Sequence, residues 1–266
     1  MGRGKHPPPV REHRIRYGDD LIWGIHPVLE VLHSQPQRIV ELCVQKDKQG
    51  RAVQEIVDTA RAFKIKCLFV DKIKIGGSSE PLNHQGVVAK SAALPLLPFD
   101  DLLAYFKRAV DEGKTPRLMA CDSIQDPHNL GAIIRSAHAA GVTHLIVPRD
   151  RSAPLSGIAA KASAGAIARI KISQVTNLAE ALKRVKEAGG WIFGAVKDEQ
   201  AVSIYATDFN VPACLVVGNE GSGLRPLVKR HCDVLVSIPM AGEIDSLNSS
   251  VAAAVILFEM VRQSQG

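Results

Sequence analysis

The sequence predicts an α/β protein of two units, and three observations predict it. Apolar, strand-like runs alternate with amphipathic helical stretches along most of the chain, as in a sheet flanked by helices. One aperiodic stretch with two prolines, Ser91 to Pro98 (SAALPLLP), interrupts that alternation and reads as a linker. Beyond it, three stretches rich in Gly, Asn and isolated charges each follow an apolar strand, the place where ligands of α/β sheets gather.

The elements follow in order. Met1 to Gly18 carries five Lys or Arg against one Glu and three consecutive prolines. It cannot bury a core, and is expected to be a mobile basic arm over 1–18. Leu21 to Trp23 reads as a short strand, and Pro27 opens a helix with Val28, Leu29 and Leu32 on its apolar face. Arg38 to Val44 reads as a strand, Ala52 to Phe63 as an amphipathic helix and Ile65 to Val70 as a strand. A short helical piece, a Gly76-Gly77-Ser78-Ser79 loop and a strand near Gln85 to Lys90 complete a small domain, expected over 19–91 with the linker at 92–98. The second domain, expected over 99–266, opens with a helix from Phe99 to about Glu112. Its strands are predicted at Leu118–Asp122, His144–Val147, Ile167–Ile172, Trp191–Val196, Ala213–Gly218 and Asp233–Ile238.

Composition bounds the partners. A formal net charge of +6 over 266 residues favours a polyanion. Aromatic residues at 5% argue against a platform of stacked rings reading single-stranded bases. The five cysteines, Cys43, Cys67, Cys121, Cys214 and Cys232, are odd in number, widely spaced and without C-x-x-C. They read as reduced core thiols of a cytoplasmic protein, with no metal site expected. No apolar run reaches about 18 residues and Met1 to Gly18 has no hydrophobic segment, so neither a membrane span nor a secretory signal is expected.

Three motifs carry the chemistry. In the first, Asp122 to Gly141 (DSIQDPHNLGAIIRSAHAAG), Asp126-Pro127 ends a loop and Asn129 is placed to cap a helix. Gly131 permits close approach of another backbone, and Arg135 lies six residues past Asn129, in the second turn, with reach back toward the loop mouth. The second, Leu215 to Pro226 (LVVGNEGSGLRP), sets Gly218, Gly221 and Gly223 around Asn219 and Glu220, so that backbone amides can face a ligand and the chain can turn sharply. Its G-x-x-G-x-G order is not the G-x-G-x-x-G of a dinucleotide fold, and no G-x-x-x-x-G-K-[ST] occurs, which disfavours nicotinamide and P-loop enzymes. The third, Ile238 to Phe258 (IPMAGEIDSLNSSVAAAVILF), leaves a strand at Pro239 and crosses a loop holding Gly242, Glu243 and Asp245. It then enters a helix whose first turn carries Ser246, Asn248, Ser249 and Ser250. The small residues Ala252 to Ala254 on that helix suit burial against a neighbouring element or a second subunit.

Together N-L-G-A-I-I-R, G-N-E-G-S-G-L and I-P-M-x-G-x-x-x-S-L-N-x-S-V-A-A-A-V resemble the three signatures of the SpoU/TrmH group. These are S-adenosylmethionine-dependent RNA ribose 2′-O-methyltransferases of the SPOUT superfamily, and the match covers about Asp122 to Glu259. The N-terminal unit, ending H-Q-G-V-V-A (His84 to Ala89), is similar to the L30e/L7Ae-like substrate-binding domain of the bacterial 23S rRNA guanosine-2′-O-methyltransferase branch. The resemblance implies a SPOUT parallel sheet with a C-terminal trefoil knot, S-adenosylmethionine as methyl donor, an rRNA substrate and a homodimer, with no DNA or membrane partner. It assigns Asn129, Arg135, Glu220, Ser246 and Asn248 to the reaction centre, and Gly218, Ile238, Met240 and Leu247 to the cofactor pocket. Ser249 departs from the pattern, standing where Val is common, and the basic arm is longer than the resemblance leads one to expect.

A ribose 2′-hydroxyl is a weak acid whose oxygen must meet a sulfonium methyl in line, so positioning and a proton acceptor are both needed. The group's pattern gives Arg135 as base. An arginine normally stays protonated, so the alternative is that Arg135 clamps a phosphate while Glu220 or water takes the proton. The same chemistry on tRNA, or a non-catalytic RNA-binding protein on this fold, are the competing functions.

Overall fold

Runs of Val, Ile, Leu and Ala bounded by Gly, Pro or Asp form the strands, and the periodic stretches between them form the helices. In the computed structural model the described residues are 12–16, 20–76, 82–92, 94–155, 157–198, 200–242 and 246–265. The chain divides into two compact units, residues 1–93 and 94–266. The expected glycine-serine loop at 77–79, most of the 1–18 arm and the acidic loop at 243–245 lie outside the described residues.

The first unit contains β1 (Glu12–Arg16), β2 (Leu21–Trp23), α1 (Ile25–Ser34), β3 (Ile39–Gln45), α2 (Arg51–Ala62), β4 (Lys66–Val70), β5 (Lys72–Gly76) and β6 (Val87–Ser91). Four strands form a mixed sheet in the order β2-β6-β3-β4, with only β3 and β4 parallel. Val28, Val31 and Leu32 of α1 are buried, as are Val53, Ile56, Val57 and Ala60 of α2. Two expectations fail here. The short helix after Val70 is instead β5, because Lys72, Ile73, Lys74 and Ile75 alternate exposed and inward with period two. Within the basic arm, Glu12–Arg16 is a strand pairing in parallel with β5, not a free coil.

The second unit contains α3 (Phe99–Asp111), β7 (Arg117–Asp122), α4 (Pro127–Ala139), β8 (His144–Pro148), α5 (Gly157–Ala162), β9 (Lys171–Val175) and α6 (Leu178–Glu187). It continues through β10 (Trp191–Ala195), β11 (Val202–Ser203), β12 (Ala213–Gly218), α7 (Pro226–His231), β13 (Val234–Ser237) and α8 (Ser249–Gln265). The seven strands pair in parallel in the order β11-β13-β10-β12-β7-β8-β9. Helices cover both faces. Leu130, Ile133 and Ile134 of α4 meet Ala253, Ile256, Leu257 and Met260 of α8 in one core, while Leu102 and Phe106 of α3 pack with Leu182 and Val185 of α6 in the other. Each of these Leu, Ile, Val, Phe and Met side chains contributes roughly 1.5–3 kcal/mol by leaving water. Leu94 packs in the first of these cores, and Leu97 N donates to Ile172 O.

The strand expected at Ile167–Ile172 is shifted. Gly165 turns left-handed (φ 86°), Ala166–Ala168 form a 3-10 turn, and the strand starts only at Lys171. Ile167 and Ile170 are buried from the turn, so an apolar run there reports burial and not extension. Among the described residues no helix is long and apolar enough to cross a membrane. All five cysteines are unpaired, and burial pushes the Cys121 and Cys232 thiols up to about 12, which keeps them protonated.

Candidate active site

Chain order and sheet order part company at β7. From β7 the chain steps outward to β8 and β9, and β12 returns on the other side of β7. A crevice outside the C-terminal strand ends is expected at such a reversal, and there Asp122, the last residue of β7, pairs with Gly218, the last of β12. The first and second motifs leave the sheet from these two residues.

A buried charge ties them together. Asp122 is fully buried; its Oδ2 accepts from Arg225 N at 2.8 Å and its Oδ1 from Arg225 Nε at 2.6 Å. Asn219 Nδ2 donates to Ser123 O at 3.3 Å. Asn219 also closes its own loop, its N bonded to Gly223 O and its O receiving Gly223 N. Its Oδ1 takes the amides of Gly221 at 2.9 Å and Ser222 at 3.3 Å. Those two amides, which the sequence left free to face a ligand, are thus turned inward, and the loop is a rigid shelf carrying Glu220. Gly218 is required by that closure: a Cβ there would lie 2.3 Å from the Gly223 carbonyl and 2.6 Å from Leu224 N.

On this shelf the three motifs meet. Glu220 Oε1 accepts from Asn129 Nδ2 at 2.5 Å, from Asn248 Nδ2 at 2.5 Å and from Ser249 Oγ at 3.4 Å. Asn248 Nδ2 also reaches Asn129 Oδ1 at 3.1 Å, while Asn248 Oδ1 accepts from Ser250 N at 2.9 Å and starts α8. Asn129 therefore does not cap α4. Asp126 does, accepting from His128 N at 2.8 Å, with Pro127 in the first turn where no amide is needed. That frees the Asn129 side chain for Glu220. Gly131 acts as its residue type suggested: a Cβ would lie 2.5 Å from Ala162 Cβ and 2.6 Å from Ala159 O, so α4 seats directly on α5.

The remaining sequence candidates do not join these hydrogen bonds. Arg135 is exposed on α4, in its third turn and not its second, and among the described residues it makes no hydrogen bond or ion pair. Ser246 is exposed, Leu247 and Ile238 are half-buried, and Met240 is exposed at 40%. This mix of apolar side chains and loop backbone, with one carboxylate, suits a cationic sulfonium nucleoside. Four residues escaped the sequence reading as site residues: Asp122, Asn219, Arg225 and Ser249. Asp122 was signalled only by being a charge at the end of an apolar run; its partner Arg225 lies 103 residues on, a distance no local pattern bridges.

A parallel α/β sheet with a carboxylate held at its switch point by the side-chain amides of Asn129 and Asn248, from two other segments, suits a nucleotide-ligand enzyme domain, and here it is joined to a second small α/β unit. Residues 116–258 match the SpoU rRNA Methylase family, and residues 21–97 match the RNA 2′-O ribose methyltransferase substrate-binding family. The chain is 41% identical over 244 residues to the 23S rRNA (guanosine-2′-O-)-methyltransferase RlmB of Yersinia pestis, covering 92% of this chain and 97% of that protein. It is also 41% identical to the protein of the same name from Ralstonia nicotianae, covering 91% and 95%. Its fold matches that of the SpoU methyltransferase AviRb from Streptomyces viridochromogenes, solved with the cofactor AdoMet, at a TM-score of 0.68 and 24% identity over 92% of this chain and 90% of that one. The chain belongs to the SpoU rRNA methylase family.

Proposed function

We propose that this protein transfers a methyl group from S-adenosylmethionine to the ribose 2′-hydroxyl of a guanosine in 23S rRNA. The observation that carries the reading is the Asn129–Glu220–Asn248 clamp, in which Asn129 of α4 and Asn248 before α8 meet on one carboxylate oxygen of Glu220. When bound, S-adenosylmethionine supplies an electrophilic methyl on a positively charged sulfur. Gly218, Ile238, Met240 and Leu247 line its pocket, chiefly through backbone and apolar contact.

The protein's own residues then do three things. The clamp fixes the Asn129 and Asn248 amides against the ribose, holding the 2′-oxygen in line with the methyl carbon. Arg135, permanently charged and without a protein partner among the described residues, grips a substrate phosphate and favours the developing alkoxide. Ser246 sits beside Leu247 at the mouth as a further hydroxyl donor to the substrate. Glu220 Oε1 is taken by three donors while Oε2 has no partner among the described residues, so Oε2 receives the 2′-hydroxyl proton. With S-adenosylmethionine held by these residues, the new O–CH3 bond would replace the S–CH3 bond, the sulfur would be left as a neutral thioether and Glu220 would hold the proton, so that charge would balance. Incubation with labelled S-adenosylmethionine and unmodified rRNA tests this; no transfer to 23S rRNA refutes it.

The same reading includes a homodimer that completes the site near its interface, in the cytoplasm where rRNA is made and processed. On α8, Val251 and Phe258 lie seven residues apart on one face and are 47% and 50% exposed, an apolar stripe suited to a second copy. Sedimentation giving a fully active monomer would contradict it. A C-terminal trefoil knot belongs to the reading too. It is motivated by β13, formed after β10 and β11 in the chain yet seated between them. Pulling the termini apart on single molecules should leave a contour-length shortfall, and full extension would exclude the knot.

A further inference from the structure

The strand β1 lies outside both family matches, which begin at residues 21 and 116, yet it is ordered into the first unit. It pairs along its whole length with β5, Glu12 with Lys72, Arg14 with Lys74 and Arg16 with Gly76. A lone two-stranded sheet is marginal in water, and this one is held by its inward side, where Ile73 is buried and Ile15 and Ile75 are half-buried. The period of two sends the others outward, so Arg14, Arg16, Lys72 and Lys74 are all exposed. Glu12 Oε1 takes Lys74 at 2.7 Å and Glu12 Oε2 takes Arg14 at 3.3 Å. Arg16 and Lys72 have no partner among the described residues. Beside β1 runs a groove of ≈450 Å³ lined by Arg14, Arg16, Leu21, Val88 and Lys90 and by two carboxylates, Asp20 and Glu41, which pair with Lys90 at 3.6 Å and Lys66 at 2.5 Å.

We infer that the β1–β5 ribbon is an additional RNA-backbone contact surface of this chain, with Arg16 and Lys72 binding phosphates of the substrate RNA. The inference rests on the RNA substrate proposed above and names a part of the protein that recognises it. Charge complementarity selects the occupant. Four cations project from one short ribbon against a single carboxylate, and the two that this carboxylate leaves unpaired lie at opposite ends of the ribbon. Neither strand carries a Phe, Tyr or Trp, and His13 alternates to the inward side with Ile15, so the outward face positions RNA without reading its sequence.

The test is binding of the full chain to an unmodified 23S rRNA transcript over a salt titration, alongside methyl transfer. Arg16→Gln/Lys72→Gln should lower the slope of log affinity against log salt by about 1.4, from roughly 0.7 per single-strand phosphate contact. It should raise KM for RNA several-fold with kcat unchanged. The charge-keeping swap Arg16→Lys/Lys72→Arg should restore the slope, which a fold defect would not allow. Lys183→Gln, on α6 in the other unit, serves as the control and should leave the slope unaltered. An unchanged slope in the double Gln variant, with active parent enzyme, overturns the ribbon proposal alone and returns the surface to other partners such as acidic proteins. A parent that binds the transcript with this slope but transfers no methyl group overturns the methyltransferase reading and leaves the ribbon standing. A parent that does not bind the transcript overturns both.

Discussion

Asp122 is the buried joint between the first two motif loops, so its removal should act on stability and on chemistry together. Asp122→Ala deletes three hydrogen bonds to the carboxylate, a long one from Ser123 Oγ at 3.3 Å and two charge-assisted ones from Arg225 N at 2.8 Å and Arg225 Nε at 2.6 Å. Such bonds contribute about 1.5–3 kcal/mol each, and breaking a buried pair costs about 3–5 kcal/mol. The Arg225 side chain is 34% exposed while Asp122 is 0% exposed, so the released guanidinium can reach water and the lower end applies, about 3 kcal/mol. In a unit of this size 1 kcal/mol moves Tm by about 2–4 °C, giving a fall of about 6–12 °C. Urea unfolding by circular dichroism measures it. Arg225→Ala and the double variant close a thermodynamic cycle, with an expected coupling of about 1–3 kcal/mol. Methyl transfer should fall more than stability alone explains, since the shelf bearing Glu220 hangs from this joint. An Asp122→Ala protein within about 1 kcal/mol of the parent, with zero coupling, would refute the reasoning.

Gly131→Ala should destabilise by about 1–3 kcal/mol despite alanine's better helix propensity, because its Cβ would meet Ala159 O at 2.6 Å; a raised urea midpoint would contradict the close seating of α4. Hydrogen bonds from Arg262, then Gln263, hold the Glu259 carboxyl down at about 2 against an ordinary 4.5. Its stabilising effect is therefore full above pH 4.5 and lost as pH falls through about 2, so Glu259→Gln should flatten the acid limb of an unfolding-versus-pH curve, and an unaltered limb would contradict this. Glu220→Gln keeps an acceptor for the asparagines but not the free carboxylate oxygen, so S-adenosylmethionine affinity should hold while kcat falls at least tenfold; an unchanged kcat removes Glu220 as proton acceptor. Arg135→Lys should stay slow at every pH with weakened RNA affinity, because lysine lacks the planar fork, whereas turnover that rises with pH would favour a base at this position.

The sequence reading succeeds where structure is local. β12 is predicted at Ala213–Gly218 and found there, since an apolar run ending in Gly-Asn has one reading, and Gly131 announces a close approach by its residue type. It fails where a distant partner decides. Ile167 and Ile170 look like strand residues until Gly165 turns the chain, and Lys72 to Gly76 becomes a strand because β1 supplies an edge. At the site the structure brings together Asn129, Glu220 and Asn248, one from each motif. The job first given to Asn129, capping, belongs to Asp126, because a Pro at the first helical position fixes the cap one residue before it. Asp122 and Arg225 were invisible as a pair, one buried at the end of β7 and the other half-exposed just before α7, 103 residues apart. Ser249, a departure from the family pattern, turns out to offer Glu220 a third donor at 3.4 Å.

The most direct measurement is methyl transfer from labelled S-adenosylmethionine to unmodified 23S rRNA and to tRNA, with the product nucleotide mapped by resistance of its 3′ linkage to alkaline cleavage. The expected result is label in 23S rRNA alone, at the 2′-oxygen of one guanosine, and at least a hundredfold less with Asn129→Ala. Label on a base, label in tRNA instead, or full activity without Asn129 would contradict the account.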